Sequence, residues 1–364
     1  MKRIKVNLDK KISTSYDITI GSDIRDRIGL MIMKDYPAGR YVVITDSTVA
    51  GLHGRAFMDT MKAAGLTIDL IEFPAGEKSK NMETALCLIK KLFDLGVDRN
   101  SLLIALGGGV VGDITGFIAS IYMRSVPYIQ IPTTLLAQVD SSIGGKTAVD
   151  LPEGKNLLGT FYQPKAVFID TKFLETLSDQ EYKNGIAEII KYGVIDSEDF
   201  FQAQESGIEA LKNRETSHLL KLIEQSCRIK KGFVEIDEKD NGIRHILNFG
   251  HTIGHAMEAE SNFTMPHGYA VALGMIAISR ICEKLHNLSV NETRRIEKLI
   301  AAFDLPPLIP TEIPTDGIIS RLHGDKKKKD GKVQFILIKN IGKPFWNGGV
   351  DRSTLVATLE GMRK

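Results

Sequence analysis

Between Tyr41 and Ile131 the chain switches repeatedly between two hydrophobic periods, and this alternation limits its fold more than any other feature. Tyr41-Val42-Val43-Ile44-Thr45 is a short, β-branched apolar run, which predicts a buried strand. Residues from about 50 to 64 predict a helix ended by Gly65, Thr67 to Phe73 a second strand, and 80–95 a helix closed by Gly96. Ser101-Leu102-Leu103-Ile104-Ala105-Leu106 predicts a strand that runs straight into glycines. A helix over about 110–122 and the strand Tyr128-Ile129-Gln130-Ile131 follow. Strands alternating with helices imply a parallel, doubly wound α/β sheet. From about 178 to 304 the helical period takes over, with helices expected near 179–193, 197–212, 215–234, 246–260, 267–286 and 290–303. Pro306-Pro307 and Pro310 break the pattern. Val333 to Ile338 predicts a small strand and 351–363 a last helix. The expected organisation is an α/β domain over 1–177 and a mostly α-helical domain over 178–364, without internal repeats.

Bulk properties remove several function classes. Hydrophobic residues make up 43% and charged residues 25%, an ordinary globular balance. A net charge of +2 gives nucleic acid no bulk attraction. Cys87, Cys227 and Cys282 form no CxxC pair, which argues against a disulfide framework or a cysteine zinc site. Met1-Lys2-Arg3 is followed by the alternation Ile4 to Leu8, not by the apolar run of a signal peptide. No stretch approaches the roughly 20 apolar residues of a membrane span. A cytoplasmic protein without membrane or nucleic-acid partners is the expectation.

Two glycine-rich loops carry the first chemical signal. Gly107-Gly108-Gly109-Val110-Val111-Gly112-Asp113 joins a strand to a helix. Glycines allow a tight turn and close approach of a ligand, and a helix N-terminus offers unpaired N–H groups to a pyrophosphate. The GxGxxG pattern alone is weak. Here it follows at least two earlier strands, and Pro132-Thr133-Thr134 stands where an ordinary dinucleotide fold ends its next strand on an acid. The bland alternative is a turn that packs helix on sheet. The three consecutive glycines exceed what such packing needs, which favours anion binding. The second loop, Asp140-Ser141-Ser142-Ile143-Gly144-Gly145-Lys146-Thr147, ends like a P-loop, but Asp140 stands where the first glycine is required. Lys146, and Lys155 in Gly154-Lys155-Asn156, are then expected to face phosphate or carboxylate rather than bulk solvent.

The second signal is a set of metal-ligand residue types. His251 and His255 stand at i and i+4 and share one helical face. Thr252 replaces the glutamate of HExxH, so a metalloprotease is disfavoured. His267 begins another expected helix. Glu188 is a charge inside the apolar stretch Gly185 to Ile190, and needs a partner if buried. One carboxylate with two or three histidines suits Zn²⁺ or a similar ion with an open position for substrate. The alternative is a plain histidine cluster. Lys191, Lys230, Arg244 and Asn248 flank this set, although Lys230-Lys231 also fits a solvated helix face. Asp325-Lys326-Lys327-Lys328-Lys329-Asp330-Gly331-Lys332 fits either a solvated loop or a lysine reaching a phosphorylated substrate.

Together these stretches resemble the 3-dehydroquinate synthase family. The carriers are Gly107–Asp113, Pro132–Asp140, Ser142–Thr147, Lys155-Asn156, Gly185–Gly193, Asn248–His251, His267-Gly268 and Asp325–Lys327. The resemblance implies a Rossmann-like N-terminal domain, a helical C-terminal domain and a site between them. It implies metal ligands Glu188, His251 and His267, with His255 as a proton-relay and substrate residue rather than a ligand. It implies NAD contacts at Asp46, Glu77, Lys78, Ser79, Lys80, Gly108, Gly109, Val110, Val111, Gly112, Asp113, Thr133, Thr134, Asp140, Lys146, Lys155, Phe173, Leu174, Glu175 and Thr176. Substrate would be held by Asp140, Lys146, Asn156, Lys191, Lys230, Arg244, Asn248 and one of Lys326 or Lys327. Arg124 would reach a neighbouring subunit's site, which implies a homodimer. The implied reaction takes 3-deoxy-D-arabino-heptulosonate 7-phosphate through transient oxidation by NAD, phosphate elimination, reduction and aldol closure, with Zn²⁺ or Co²⁺ as the ion. Ser47-Thr48 departs from the pattern after Asp46 and leaves the adenosine-ribose contacts open. Rival readings are a related sugar-phosphate cyclase, a metal-dependent polyol dehydrogenase and a non-catalytic NAD or sugar-phosphate sensor. Arg244 with Asn248 favours a substrate carboxylate, and an intact ligand set argues against a sensor.

Overall fold

The computed structural model describes residues 14–324, 328–329, 332–347 and 349–363. Its centre is a six-stranded parallel sheet built from β1 (Asp17–Gly21), β2 (Tyr41–Asp46), β3 (Ile68–Phe73), β4 (Leu102–Gly107), β5 (Tyr128–Pro132) and β8 (Ala166–Asp170). The strand order is β1-β8-β5-β4-β2-β3. Side chains alternate across β2 and β4. Val42, Ile44, Leu103 and Ala105 face a core made with Leu88, Ile114 and Phe117. Tyr41, Val43, Leu102 and Ile104 face another made with Ile28, Phe57 and Met61. Both faces are dry, which is why these strands read as continuous apolar runs.

The expected strands and helices between Tyr41 and Ile131 are all present. The sequence reading missed β1, the helix Arg25–Asp35, β8, and the antiparallel hairpin of β6 (Lys146–Leu151) and β7 (Gly154–Phe161). From β2 the chain moves outward to β3, then crosses to β4 and continues to β5 on the other side. The strand order therefore reverses between β2 and β4. Open α/β sheets bind ligands beyond the carboxyl ends of strands at such a point. Asp46 and the Gly107–Gly109 turn lie at those two ends.

The remainder is mostly helical. The helix Asp179–Asp196 runs through the middle and buries Ile186, Ile189 and Ile190 in a core shared with Leu135 and Val139 from the sheet region. The expected helix over 246–260 is instead a short turn, Ile243–Asn248, and a helix, His251–Glu260. They are separated by Gly250 in the left-handed region (φ 77°). The expected helix over 197–212 is divided at Gly207. The Thr315–Gly324 helix was not anticipated. Lys328–Lys329 pair with Lys332–Val333 as a small ladder, where the sequence suggested a loop.

His251–Glu260 packs closely on His267–Lys284 because glycines face one another. A Cβ on Gly274 would lie 1.9 Å from the Gly250 carbonyl oxygen, and one on Gly254 would lie 2.8 Å from the Ala270 oxygen. Backbone atoms cannot yield as a side chain can, so overpacking here costs about 1–3 kcal/mol or more. Gly274→Ala is expected to lower the urea midpoint accordingly. Gly232→Ala has nothing within 4 Å of the new Cβ inside a helix, and should be neutral or stabilise by up to ~1 kcal/mol, leaving the midpoint unchanged or higher. Equal midpoints for the two variants would contradict this packing account.

Candidate active site

Glu188 sits midway along the Asp179–Asp196 helix and is 1% exposed. Its Oε1 is buried, and no hydrogen bond of normal geometry reaches it. His251 Nε2 lies 3.3 Å and His267 Nε2 3.5 Å from that same oxygen. Each imidazole is oriented through its other nitrogen. His251 Nδ1 is 3.1 Å from the Phe249 carbonyl, and His267 Nδ1 is 3.4 Å from Glu258 Oε1. With protons on both Nδ1 atoms, two Nε2 lone pairs and one carboxylate oxygen converge on a point, their ligand atoms all within 4.8 Å of one another. A cation at that point satisfies all three, and nitrogen with oxygen donors suits Zn²⁺ or Co²⁺. Asn184 ties the two supporting helices together, its Oδ1 accepting from the Gly268 N–H at 3.0 Å.

Charge is compressed around this point. Lys191, 2% exposed, is ion-paired with Glu188 and lies 3.8 Å from Asp140 Oδ1. Lys230 Nζ is 2.8 Å from Asp140 Oδ2 and donates to the Asp140 carbonyl at 2.6 Å. Burial pushes the Glu188 carboxyl up, but Lys191 and His251 outweigh it and hold the group well below the usual carboxylate range. The same contest at Asp140 is won by Lys230 and Lys191, again downward. Burial pulls Lys230 down to about 8 against the opposing pull of Asp140. The Lys230-Lys231 stretch therefore divides, with Lys230 buried and Lys231 on the solvated face. Arg244 is 2% exposed and donates to the carbonyls of Glu238 and Gly144 at 2.7 and 3.2 Å. Asn248 is half-buried at the end of its short turn. Lys146 is an exposed residue ion-paired with Asp240. His255 is exposed, its ring 5.2 Å from that of His251.

At the sheet's switch point, the helix Gly109–Ile121 starts from Gly108 without a side-chain cap, leaving its first N–H groups open. A Cβ on Gly108 would lie 2.9 Å from Thr134 Cγ2, and one on Gly109 3.1 Å from Ser141 Oγ. Thr133 Oγ1 and Ser141 Oγ beside this turn are buried without hydrogen-bond partners. An uncapped helix start, glycines and orphaned hydroxyls fit a phosphate-bearing ligand. Gly112 has a packing role as well, since its Cβ would lie 2.6 Å from Gln130 Oε1. Val111 is in the core, and Val110 is half-buried. Lys80, 5% exposed, joins Asp113 and Asn156 at 2.5 Å each. Asp46 accepts from the Thr48 and Val49 N–H groups and caps the helical run that follows. Glu77 and Lys78 are exposed, whereas Ser79 is buried. Phe173 and Leu174 are buried in the cores, so that turn can offer a ligand only backbone, Glu175 and Thr176. Arg124 is exposed, at φ 65° between Met123 and Ser125, both also at positive φ. Lys326 and Lys327 lie outside the described residues.

The two parts are joined by Lys155, whose Nζ is 3.3 Å from Glu77 Oε1 and 3.8 Å from Glu258 Oε1. Glu258 was missed in the sequence. Its signal was spacing: positions 251, 255 and 258 share one helical face. Tyr192, which donates to Asp140 Oδ1, was missed because a tyrosine in an apolar helix reads as core.

The 3-dehydroquinate synthase N-terminal profile matches residues 70–184, and the C-terminal profile matches residues 185–328. The chain belongs to the 3-dehydroquinate synthase family. A 3-dehydroquinate synthase of Desulforamulus reducens is 45% identical over 360 residues, covering 99% of each chain. Among solved structures, 2-epi-5-epi-valiolone synthase from Streptomyces hygroscopicus, with NAD⁺ and Zn²⁺ bound, superposes with a TM-score of 0.90. It is 27% identical over 99% of each chain. A 2-deoxy-scyllo-inosose synthase complexed with carbaglucose-6-phosphate, NAD⁺ and Co²⁺ gives a TM-score of 0.86 at 25% identity, over 95% of this chain and 96% of that one. This 3-dehydroquinate synthase family member thus shares its architecture with other sugar cyclases.

Proposed function

We propose that this chain is a 3-dehydroquinate synthase, converting 3-deoxy-D-arabino-heptulosonate 7-phosphate into 3-dehydroquinate and phosphate with NAD and one divalent cation, Zn²⁺ or Co²⁺. The observation that carries the reading is the Glu188–His251–His267 convergence beside buried Lys191 and Lys230. NAD, when bound, takes and returns a hydride, and the ion lowers the pKa of the hydroxyl it touches. Everything else is positioning and electrostatics. Lys191, Lys230 and Arg244 supply positive charge in a low-dielectric cleft for an acidic substrate, with Lys146, Asn156 and Asn248 completing its hydrogen bonds. Asp140 holds Lys191 and Lys230 in place. His255, exposed beside His251, passes protons between substrate and solvent. The uncapped start of the Gly109–Ile121 helix, with Thr133, Thr134 and Lys155, receives the dinucleotide phosphates.

Further parts of the reading rest on the resemblance. The site lies between a domain over 1–177 and one over 178–364. Arg124 reaches a second copy of the chain in a homodimer, and exposed Ile121 and Met123 beside it supply apolar surface for that contact. One of Lys326 or Lys327 meets the substrate. The protein works in the cytoplasm. Unpaired Cys87, Cys227 and Cys282 suit a reducing compartment, and no helix among the described residues is long and apolar enough to cross a membrane.

Incubated with the heptulosonate phosphate and catalytic NAD⁺, the protein should release phosphate and dehydroquinate in equal amounts, with no net NADH and with activity lost on chelation. Steady NADH accumulation with a polyol, or no turnover by metal-loaded protein, would move the assignment to a relative within the fold. A pH profile gives a second check. Lys230 is charged below about 8 and loses its proton above it, with Asp140 holding the charge and Arg244 and Lys191 opposing it. kcat/KM reports groups in the free enzyme, so it should fall above about pH 8. Lys230→Met should have lower kcat/KM throughout and lack this limb. An unchanged limb in the variant would remove Lys230 from this role.

A further inference from the structure

Glu258 is 3% exposed, yet it is not one of the three groups that converge on the cation point. It lies on the His251–Glu260 helix, where positions 251, 255 and 258 share a face. Its Oε1 is 3.4 Å from His267 Nδ1 and 3.8 Å from Lys155 Nζ, and its Oε2 is 3.9 Å from His255 Nε2. A buried carboxylate is costly unless paired. This one is paired with an imidazole whose other nitrogen faces Glu188, 3.5 Å away.

Resting on the metal-dependent reading above, we propose that Glu258 is a positioning residue that fixes His267 as a ligand and anchors it to Lys155 on the β6–β7 hairpin. Accepting from Nδ1–H leaves the His267 lone pair on Nε2, aimed at the cation point, and makes that nitrogen a stronger donor. Glu258 is assigned to support and not to ligation because its oxygen meets the opposite edge of the imidazole from the one facing Glu188. His255, Glu258 and His267 do offer ligand atoms within 4.8 Å of one another. That alternative turns His267 Nδ1 toward a metal and leaves Glu188 Oε1 buried without a partner, so the Glu188 site is preferred. The contact with Lys155 places Glu258 between the hairpin and the metal-bearing helices. Its removal should therefore loosen the ligand and the hairpin together.

The test uses full-length wild type, Glu258→Gln, Glu258→Asp and His251→Ala, titrated with Co²⁺ against a competing chelator and followed by visible absorption. Glu258→Gln keeps size while removing charge. It should weaken Co²⁺ binding about ten-fold or more yet show the wild-type spectrum at saturating metal, and Glu258→Asp should recover part of the affinity. Unchanged affinity in Glu258→Gln would overturn the positioning role. So would a spectrum that has lost a ligand's contribution at saturation, since Glu258 would then be a ligand itself. His251→Ala separates the two claims: if it, too, binds Co²⁺ like wild type, the Glu188–His251–His267 site is wrong and the proposal falls with it. Loss of binding in His251→Ala with none in Glu258→Gln overturns the proposal alone.

Discussion

Burial of the Glu188 carboxylate is the constraint from which the rest of the site follows. A charged side chain in the middle of an apolar helix needs compensation from several directions at once. Lys191, one turn along, provides one cation, and two imidazoles from two other helices face the remaining oxygen. Those helices must approach closely, and Gly250, Gly254 and Gly274 remove the side chains that would keep them apart. Three helices thus share one electrostatic problem. A divalent ion at the point where they converge would satisfy the carboxylate oxygen and both imidazole nitrogens at once.

A second region of compressed charge lies beside the first. Asp140 holds Lys230 and lies within reach of Lys191, so two buried ammonium groups face one carboxylate. Stability does not call for such a cluster, since apolar packing of the same volume is usually as good or better. Under the proposed function, the cluster supplies preorganised positive charge for an acidic substrate. The sheet contributes separately. Its strand order reverses between β2 and β4, and the glycine turn at the end of β4 leaves a helix start without a side-chain cap. Lys155 then spans from Glu77 to Glu258 and links the sheet region to the helix that carries His251.

Much of this was legible in the residues. The β2-to-β5 alternation was readable because β2, β4 and β5 are buried along nearly their whole length and read as short apolar runs between helical stretches. Strand β1, Asp17-Ile18-Thr19-Ile20-Gly21, alternates polar and apolar residues at a sheet edge and carries little signal of its own. The β6–β7 hairpin was hidden by a P-loop-like ending, although Gly144 and Gly145 at positive φ make a turn into a strand and not a phosphate loop before a helix. The left-handed Gly250 broke a helix that periodicity alone would continue. At the site, Glu188 stood out as a charge in an apolar stretch, and His251 and His255 stood out by spacing. Among the histidines, His251 and His267 both face the Glu188 oxygen, whereas His255 is exposed and lies nearer Glu258. Glu258 stayed hidden because single acids near basic residues are common on surfaces, and only the packing shows that it is enclosed.

The claim that Glu188, His251 and His267 share one cation is tested most directly by anomalous diffraction from crystals grown with Co²⁺, recorded on both sides of the metal's absorption edge. The account predicts one strong difference peak bounded by Glu188 Oε1, His251 Nε2 and His267 Nε2. A peak bounded instead by His255, Glu258 and His267, or no peak in metal-saturated and active protein, would contradict it.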